Sequence, residues 1–266
     1  MIDRARLESI VREAGRIALA GWPGDGHALD HWEKDPGSPV SAIDLAVDSY
    51  LKKELGALLP SAGWLSEETV DAPERTLGDL AWLVDPIDGT RDFIAGRTGW
   101  AVSVALVNTR RPLLGYLYAP ARRRDEGGEF WHAEAGQGSW RNGTRLRASA
   151  RTALSGARVP AVRLPIADAD LVMVDQPNSI ALRMAMVAAG EADLLATLRW
   201  GFEWDIAAAA LIAREAGAAV TDAFGQPLNY NKHDPRAFGV LATSPAIHPQ
   251  AVARLRDRAL AYVGRP

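Results

Sequence analysis

Residues 82–90 read W-L-V-D-P-I-D-G-T: an apolar run delivers Asp85, then Pro86 and Ile87, then Asp88, Gly89 and Thr90. A second apolar run, W-L-S at 64–66, ends in Glu67 and Glu68, Asp205 follows F-E-W, and Asp44 closes S-A-I-D. If the strands ending at 66 and 84 are neighbours in one sheet, their acidic ends converge. Converging carboxylates without Lys or Arg partners repel and raise one another's pKa, a cost that a divalent cation removes. The chain has no cysteine, and its histidines (His27, His31, His132, His233 and His248) lack the i, i+4 spacing of a zinc helix. Oxygen-only ligation of this kind points to Mg²⁺, with Mn²⁺ as a substitute, rather than Zn²⁺.

Each acid also has a plainer reading. Asp85 and Asp88 fit a capped turn, Asp205 the N-cap of a helix starting at Ile206, Asp44 a similar cap, and Glu68 a solvated neighbour of Glu67. Cap and ligand are compatible roles. Pro86 forbids a ladder hydrogen bond and stiffens the strand exit, Gly89 permits a close backbone approach, and Thr90 adds a hydroxyl suited to orienting water. A helix beginning at Asn178-Ser179 presents backbone N–H groups of the kind that bind phosphate. Phosphate beside a carboxylate cluster suggests metal-assisted phosphoryl transfer to water, with two ions about 4 Å apart.

The elements that position these groups follow from periodicity. Apolar residues at helical spacing predict helices over 4–20, 43–59, 179–189, 206–216 and 247–262. Strands are expected at 64–66, 81–84, 100–107, 113–118, 129–133, 145–148, 193–197, near 220 and at 238–242, with a tight turn at Asn142-Gly143. Residues 64–148 are thus sheet-rich and locally connected, whereas the later part alternates helix and strand. The reading is an N-terminal α+β domain over 1–152, carrying most of the acids. A C-terminal α/β domain over 153–266 carries Asp205 and the substrate-facing wall.

Composition narrows the function. With 266 residues, 48% hydrophobic and 24% charged, the chain can bury a substantial core. A net charge of −3, with the basic run Arg122–Arg124 followed at once by Asp125 and Glu126, gives no footprint for a nucleic-acid polymer. The absence of cysteine excludes disulfides, thiolate metal sites and cysteine nucleophiles. Charges interrupt the first residues, M-I-D-R-A-R, where a secretory signal needs an apolar core, and no run approaches the ~20 apolar residues of a membrane span. A cytoplasmic protein without membrane contact is expected.

S-E-E at 66–68, D-P-I-D-G-T at 85–90 and W-D-I-A-A-A-A-L-I-A-R-E-A-G at 204–217 occur in an order that resembles the inositol monophosphatase superfamily of Mg²⁺-dependent, Li⁺-sensitive phosphomonoesterases. The similarity runs from about Ile43 to the C-terminal helix. It implies a layered αβαβα sandwich, an α+β or α/β fold of the sugar-phosphatase type, commonly assembled as a homodimer. It further implies two or three Mg²⁺ ions: one held by Glu67, Asp85 and the Ile87 carbonyl, a second by Asp85, Asp88 and Asp205, and a third, weaker one held with help from Glu67. By the same resemblance Asp44 and Thr90 orient and deprotonate the attacking water, Glu67 assists, and the backbone at Gly89 and Thr90 meets the phosphate. Two departures are visible: E-A-G-A at 215–218 stands where the family has E-A-G-G, and residues 155–178 are short for the family.

The resemblance implies a small phosphate ester as substrate. R-D-F-I-A-G at 91–96, with W-A-V-S-V-A-L-V and L-L-G-Y-L-Y-A-P after it, is similar to bacterial 3′(2′),5′-bisphosphate nucleotidases. Thr197 stands where inositol monophosphatases keep a glutamate for inositol hydroxyls, and Arg183 falls where the nucleotidases keep a lysine. Asn178, Ser179, Arg183 and Asp205 are therefore substrate-contact candidates, and hydrolysis of 3′-phosphoadenosine 5′-phosphate to AMP is expected. Inositol monophosphate or a range of sugar and polyol phosphates is the alternative. A non-catalytic homologue is a more distant one. The D-x-D-G-T of haloacid dehalogenase-like phosphatases has a shorter spacing and sits near the chain start, which separates it from D-P-I-D-G-T.

Overall fold

Leu7, Ile10, Val11, Ala14 and Ala18 recur every three or four positions and form the buried stripe of α1 (Arg4–Ala20), whose N-cap Asp3 accepts from the Arg6 amide. The computed structural model describes residues 2–26, 29–35, 38–72, 75–76 and 78–264, so His27 lies outside the described residues. A hairpin of β1 (His31–Asp35) and β2 (Ser38–Ser41) leads into α2 (Ala42–Leu58). Seven strands then pair as one sheet in chain order: β3 (Gly63–Ser66), β4 (Ala81–Asp88), β5 (Ala101–Val107), β6 (Pro112–Ala119), β7 (Glu129–Glu134), β8 (Gly138–Arg141) and β9 (Thr144–Arg145). The short α3 (Thr90–Ile94) follows β4 directly. Only the β3–β4 pair is parallel; Trp64 lies opposite Trp82 and Ser66 opposite Val84.

Beyond this sheet, β10 (Arg158–Pro160) and β11 (Val172–Val174) pair in parallel, and α4 (Ile180–Ala188) follows. A three-stranded antiparallel sheet has β14 (Arg236–Thr243) between β12 (Leu194–Phe202) and β13 (Ala219–Thr221), with α5 (Glu203–Glu215) joining β12 to β13. The chain closes with α6 (His248–Val263).

Strand alternation explains how the layers stack. Along β4, Trp82 and Val84 join a cluster with α1 and α2, while Ala81 and Leu83 join a cluster with α4 and α5. Both faces are covered, which is why all eight residues of β4 are buried, acids included. The second sheet packs on the far side of α4 and α5 and receives α6 on its outer face. The order is α1/α2, large sheet, α4/α5, small sheet, α6. This is the mixed α/β sandwich with helices flanking central sheets that the resemblance implied.

Several boundaries differ from the sequence reading. The Asn142-Gly143 turn is present, with both residues at positive φ, but it joins β8 to the two-residue β9 rather than a strand over 145–148. The β1–β2 hairpin and β8 were not predicted, because they are short and lack an alternating apolar pattern. β12 extends to Phe202, so α5 starts at Glu203 instead of Ile206.

The approach of α5 to the sheet depends on a missing side chain. A Cβ on Gly115 of β6 would lie 2.7 Å from the Ala208 carbonyl oxygen and 3.1 Å from its Cα. Both are backbone atoms and cannot turn aside. Ala207, Ala208, Ala209 and Ala210 are fully buried at this contact, so alanine on the helix and glycine on the strand together bring α5 close. Gly115→Ala is expected to destabilise the fold by about 1–3 kcal/mol in urea unfolding; an unchanged midpoint would contradict this packing.

Candidate active site

Strand β3 ends beside β4, and the Glu67 amide donates to the Val84 carbonyl at 3.3 Å. The carboxylates that follow therefore emerge together. Glu67, Asp85 and Asp205 each present an oxygen within 4.8 Å of the others. Asp85 is buried, and Glu67 and Asp205 are half-buried. Asp85 sits at a bulge between β4 and β5: Asp85 opposes Ser103 and Asp88 opposes Ala101, so two residues of β4, Pro86 and Ile87, face one of β5. A bulge is where a strand tolerates proline and re-aims its side chains. The Ile87 amide turns back to the Asp85 carboxylate at 3.1 Å.

Asp205, in the pocket, and Asp44, buried behind it, take the same position on different helices. Each occupies the third residue of its helix, Asp205 in α5 and Asp44 in α2, rather than the N-cap. Asp205 accepts from the Phe202 amide at 2.9 Å. Asp44 accepts from the Ser41 amide at 2.9 Å and from the Ser41 hydroxyl. The S-x-x-D pattern of 41–44 is a capping box written in the sequence.

The pocket that holds Glu67, Asp85 and Asp205 has a volume of about 170 Å³ and is also lined by Asp88, Gly89, Thr90, Arg91, Asn178 and Arg199. Burial first, then the charges of Glu67, Asp88, Asp205 and Asp44, hold Asp85 well above the usual carboxylate range. Burial, then Glu67 and Asp88, does the same to Asp205. Burial raises Asp88 to about 6 against the hydrogen bonds that favour its charge, and burial likewise raises Asp44 to about 6. Neither Asp85 nor Asp205 forms an ion pair with any described residue. Lys34 pairs with the acids at the edge of the cluster, 3.3 Å from Glu67 and 2.6 Å from Glu68, and burial raises the pKa of Glu68 to about 7. Three hard oxygen donors that repel one another fit a divalent cation.

Other residues singled out in the sequence take different positions. Asp88 shares the pocket but lies outside the close three-residue group. Its carboxylate accepts from the Ser179 hydroxyl, from the Ala181 amide at 2.7 Å and from the Ile180 amide at 3.2 Å. The Leu182 amide goes to the Ser179 hydroxyl, the Ser179 amide to Gly99 and the Asn178 amide to Asp92. The amides at the start of α4, expected to receive phosphate, are therefore already occupied, chiefly by Asp88. Gly89 has a φ of 95° and fits against the Gly99 carbonyl and the Ser179 amide, where a Cβ would come within 2.8 Å of both.

Thr90 lines the pocket, and its hydroxyl donates to the Ile87 carbonyl at 3.0 Å. No hydrogen bond joins it to Asp44, which is buried and does not line the pocket. Arg183 is neither a surface residue nor part of this pocket: it is buried and braced by the Asn178 and Ser179 carbonyls. Sequence reasoning missed Arg199, an exposed residue on the pocket wall with no hydrogen bond or ion pair to any described residue. It lies on the same face of β12 as Thr197, within the bulge against β14 between Thr197 and Trp200. Its place two residues after Thr197 was the available signal. Lys34 had none, since its contact depends on the hairpin.

Comparisons with known proteins agree on the family. The profile of the inositol monophosphatase family matches residues 4–260. The 3′(2′),5′-bisphosphate nucleotidase CysQ of Escherichia coli is 31% identical over 236 residues, covering 85% of this chain and 92% of that protein. The fructose-1,6-bisphosphatase/inositol-1-monophosphatase of Thermotoga maritima is 31% identical over 230 residues, covering 83% and 84%. The solved structure of a Thermotoga maritima IMPase superposes with a TM-score of 0.79 at 27% identity, covering 97% of each chain.

The raised carboxylates make the ion's contribution depend on pH. Below the unfolded carboxylate range, near 4, both states hold the protons. As pH rises past it the unfolded chain ionises freely while folded Asp85 and Asp205 resist, so the ion-free fold loses stability. A cation removes that penalty. Mg²⁺ is expected to raise the Tm over an EDTA control more at about pH 8 than at about pH 5.5; no shift at either pH would count against a cation site.

Proposed function

The chain belongs to the inositol monophosphatase family, and from that premise we propose that it hydrolyses the 3′-phosphate of 3′-phosphoadenosine 5′-phosphate, giving AMP and phosphate. The observation that carries the choice of substrate is Arg199. A guanidinium that forms no ion pair or hydrogen bond with any described residue, and only a longer-range attraction to Asp205, suits a substrate with a second anionic group, because charge-assisted bonds to phosphate are stronger than those to hydroxyls. Thr197, on the same face of β12, offers a polyol no carboxylate. The nucleotidase named above is among the similar proteins, which supports the reading.

In this proposal Glu67, Asp85 and Asp205 hold the Mg²⁺, with Asp88 and the Ile87 carbonyl completing the donor set. When bound, the ion offsets the charge on the phosphoryl oxygens and makes water a better nucleophile. Thr90, at the pocket surface, orients the water. Asp44, ionised above its raised pKa, is the proton acceptor behind it. The water oxygen bonds to phosphorus as the P–O3′ bond breaks, its proton passes to Asp44, and the departing ribose oxygen takes a proton from solvent to become the 3′-hydroxyl. Asp88 has a second task in this scheme, since it fastens the start of α4 and so fixes the wall beside the phosphate. Arg199 takes the 5′-phosphate.

The decisive comparison is phosphate release from 3′-phosphoadenosine 5′-phosphate and from inositol 1-phosphate at one Mg²⁺ concentration. The nucleotide is expected to be preferred, and a preference for the inositol ester would reverse the assignment. Arg199→Ala should raise KM for the bisphosphate about tenfold and leave 3′-AMP hydrolysis unchanged. Asp205→Asn should abolish turnover of every ester while the chain stays folded; retained activity would remove Asp205 from the ion site.

A further inference from the structure

A second cavity lies across β12 from the acidic pocket. Successive strand residues point to opposite faces: Thr197 and Arg199 line the catalytic side, and Leu194, Ala196 and Leu198 line the other. The space between these residues, α6 and the segment 159–171 has a volume of about 230 Å³. A single water needs ~10–15 Å³ of such volume, so a ring-sized molecule fits. Aliphatic side chains make much of the wall, including Leu154, Leu171 and Leu255.

The charges on that wall are unbalanced. Four arginines border the cavity. Arg258 is paired with Asp168 through contacts of 2.6 and 2.9 Å, and Arg254 with Asp170 through contacts of 2.8 and 3.1 Å. Arg163 and Arg183 form no ion pair with any described residue. Arg183 is only 8% exposed, so it has lost most of its hydration, and burial lowers its pKa against the longer-range attraction of Asp88 and Asp92, neither of which reaches it as an ion pair. Its guanidinium is held by two neutral acceptors, the carbonyl of Asn178 at 2.9 Å and that of Ser179 at 3.3 Å. Five N–H donors cannot be satisfied by two carbonyls.

We propose that this cavity is a second ligand site, separate from the catalytic pocket, for a small organic anion. A carboxylate, sulfonate or phosphate group meets Arg183 and Arg163, and an aliphatic or aromatic body lies against the leucines. The carbonyls that brace Arg183 immediately precede α4, whose first amides hold Asp88. An occupant therefore touches the side chain that supports that turn.

The test titrates the whole protein with 8-anilinonaphthalene-1-sulfonate, an apolar body bearing one sulfonate, and follows its fluorescence. Saturable one-to-one binding is expected, and it should persist in saturating inorganic phosphate with Mg²⁺. Arg183→Met should weaken binding about tenfold or more. Should that buried substitution unfold the chain, Arg163→Ala and Ala161→Trp lie on an accessible segment and decide the matter. Each should weaken binding several-fold while thermal unfolding stays cooperative. Absence of saturable binding overturns the proposal. So does displacement by phosphate with Mg²⁺, which would place the probe in the catalytic pocket, or unchanged affinity in both accessible variants.

Discussion

Asp85 and Asp205 are drawn away from water within reach of Glu67, and no arginine or lysine pairs with either among the described residues. Like charges gathered in this way cost the fold stability unless something positive is supplied. Part of the compensation is built from backbone. Asp44 sits in the first turn of α2, Asp205 in the first turn of α5, and Asp88 against the first amides of α4. Each helix start carries roughly half a positive charge, so three helices direct their favourable ends toward three of the acids. The compensation is incomplete, since all three acids stay above the ordinary carboxylate range. What remains would favour a bound cation.

The layered fold is what brings the three helix starts together. β4 is buried on both faces and its bulge at Pro86 releases Asp85 and Asp88 from the ladder. α2 reaches the strand ends from one side of the large sheet, and α4 and α5 from the other. Gly115 lets α5 settle against the sheet, and Gly89 lets the β4 exit meet the start of α4. Packing far from the acids thus sets their separation, and the chemistry depends on contacts that contain no functional group.

Much of this was legible in the residues. The acids at the ends of W-L-S and W-L-V could be read as convergent because two apolar runs of equal character end alike, and the structure pairs those strands in parallel. S-A-I-D already encodes the box that fixes Asp44. The parts that escaped depend on contacts between distant segments. Asp88 is bonded to residues 91 to 93 positions later, so nothing near it shows that its oxygens hold a helix. Arg183 was a substrate candidate because it falls where the nucleotidases keep a lysine, yet α4 is buried all round, and the arginine lines another cavity. Arg199 shares the face of Thr197 two residues before it, but that this face borders the acids shows only in the packing of β12 beside α5. Local pattern therefore revealed which residues carry charge, and tertiary pairing decided where each charge points.

A buried acid cluster compatible with a divalent ion is tested most directly by binding. Mn²⁺, whose free form gives a strong paramagnetic resonance signal, should be titrated into the ion-free protein near neutral pH. Saturable loss of the free signal is predicted, reversed by excess Mg²⁺ and abolished by Asp85→Asn. An undiminished free signal in the wild-type protein, or equal binding by the variant, would contradict it.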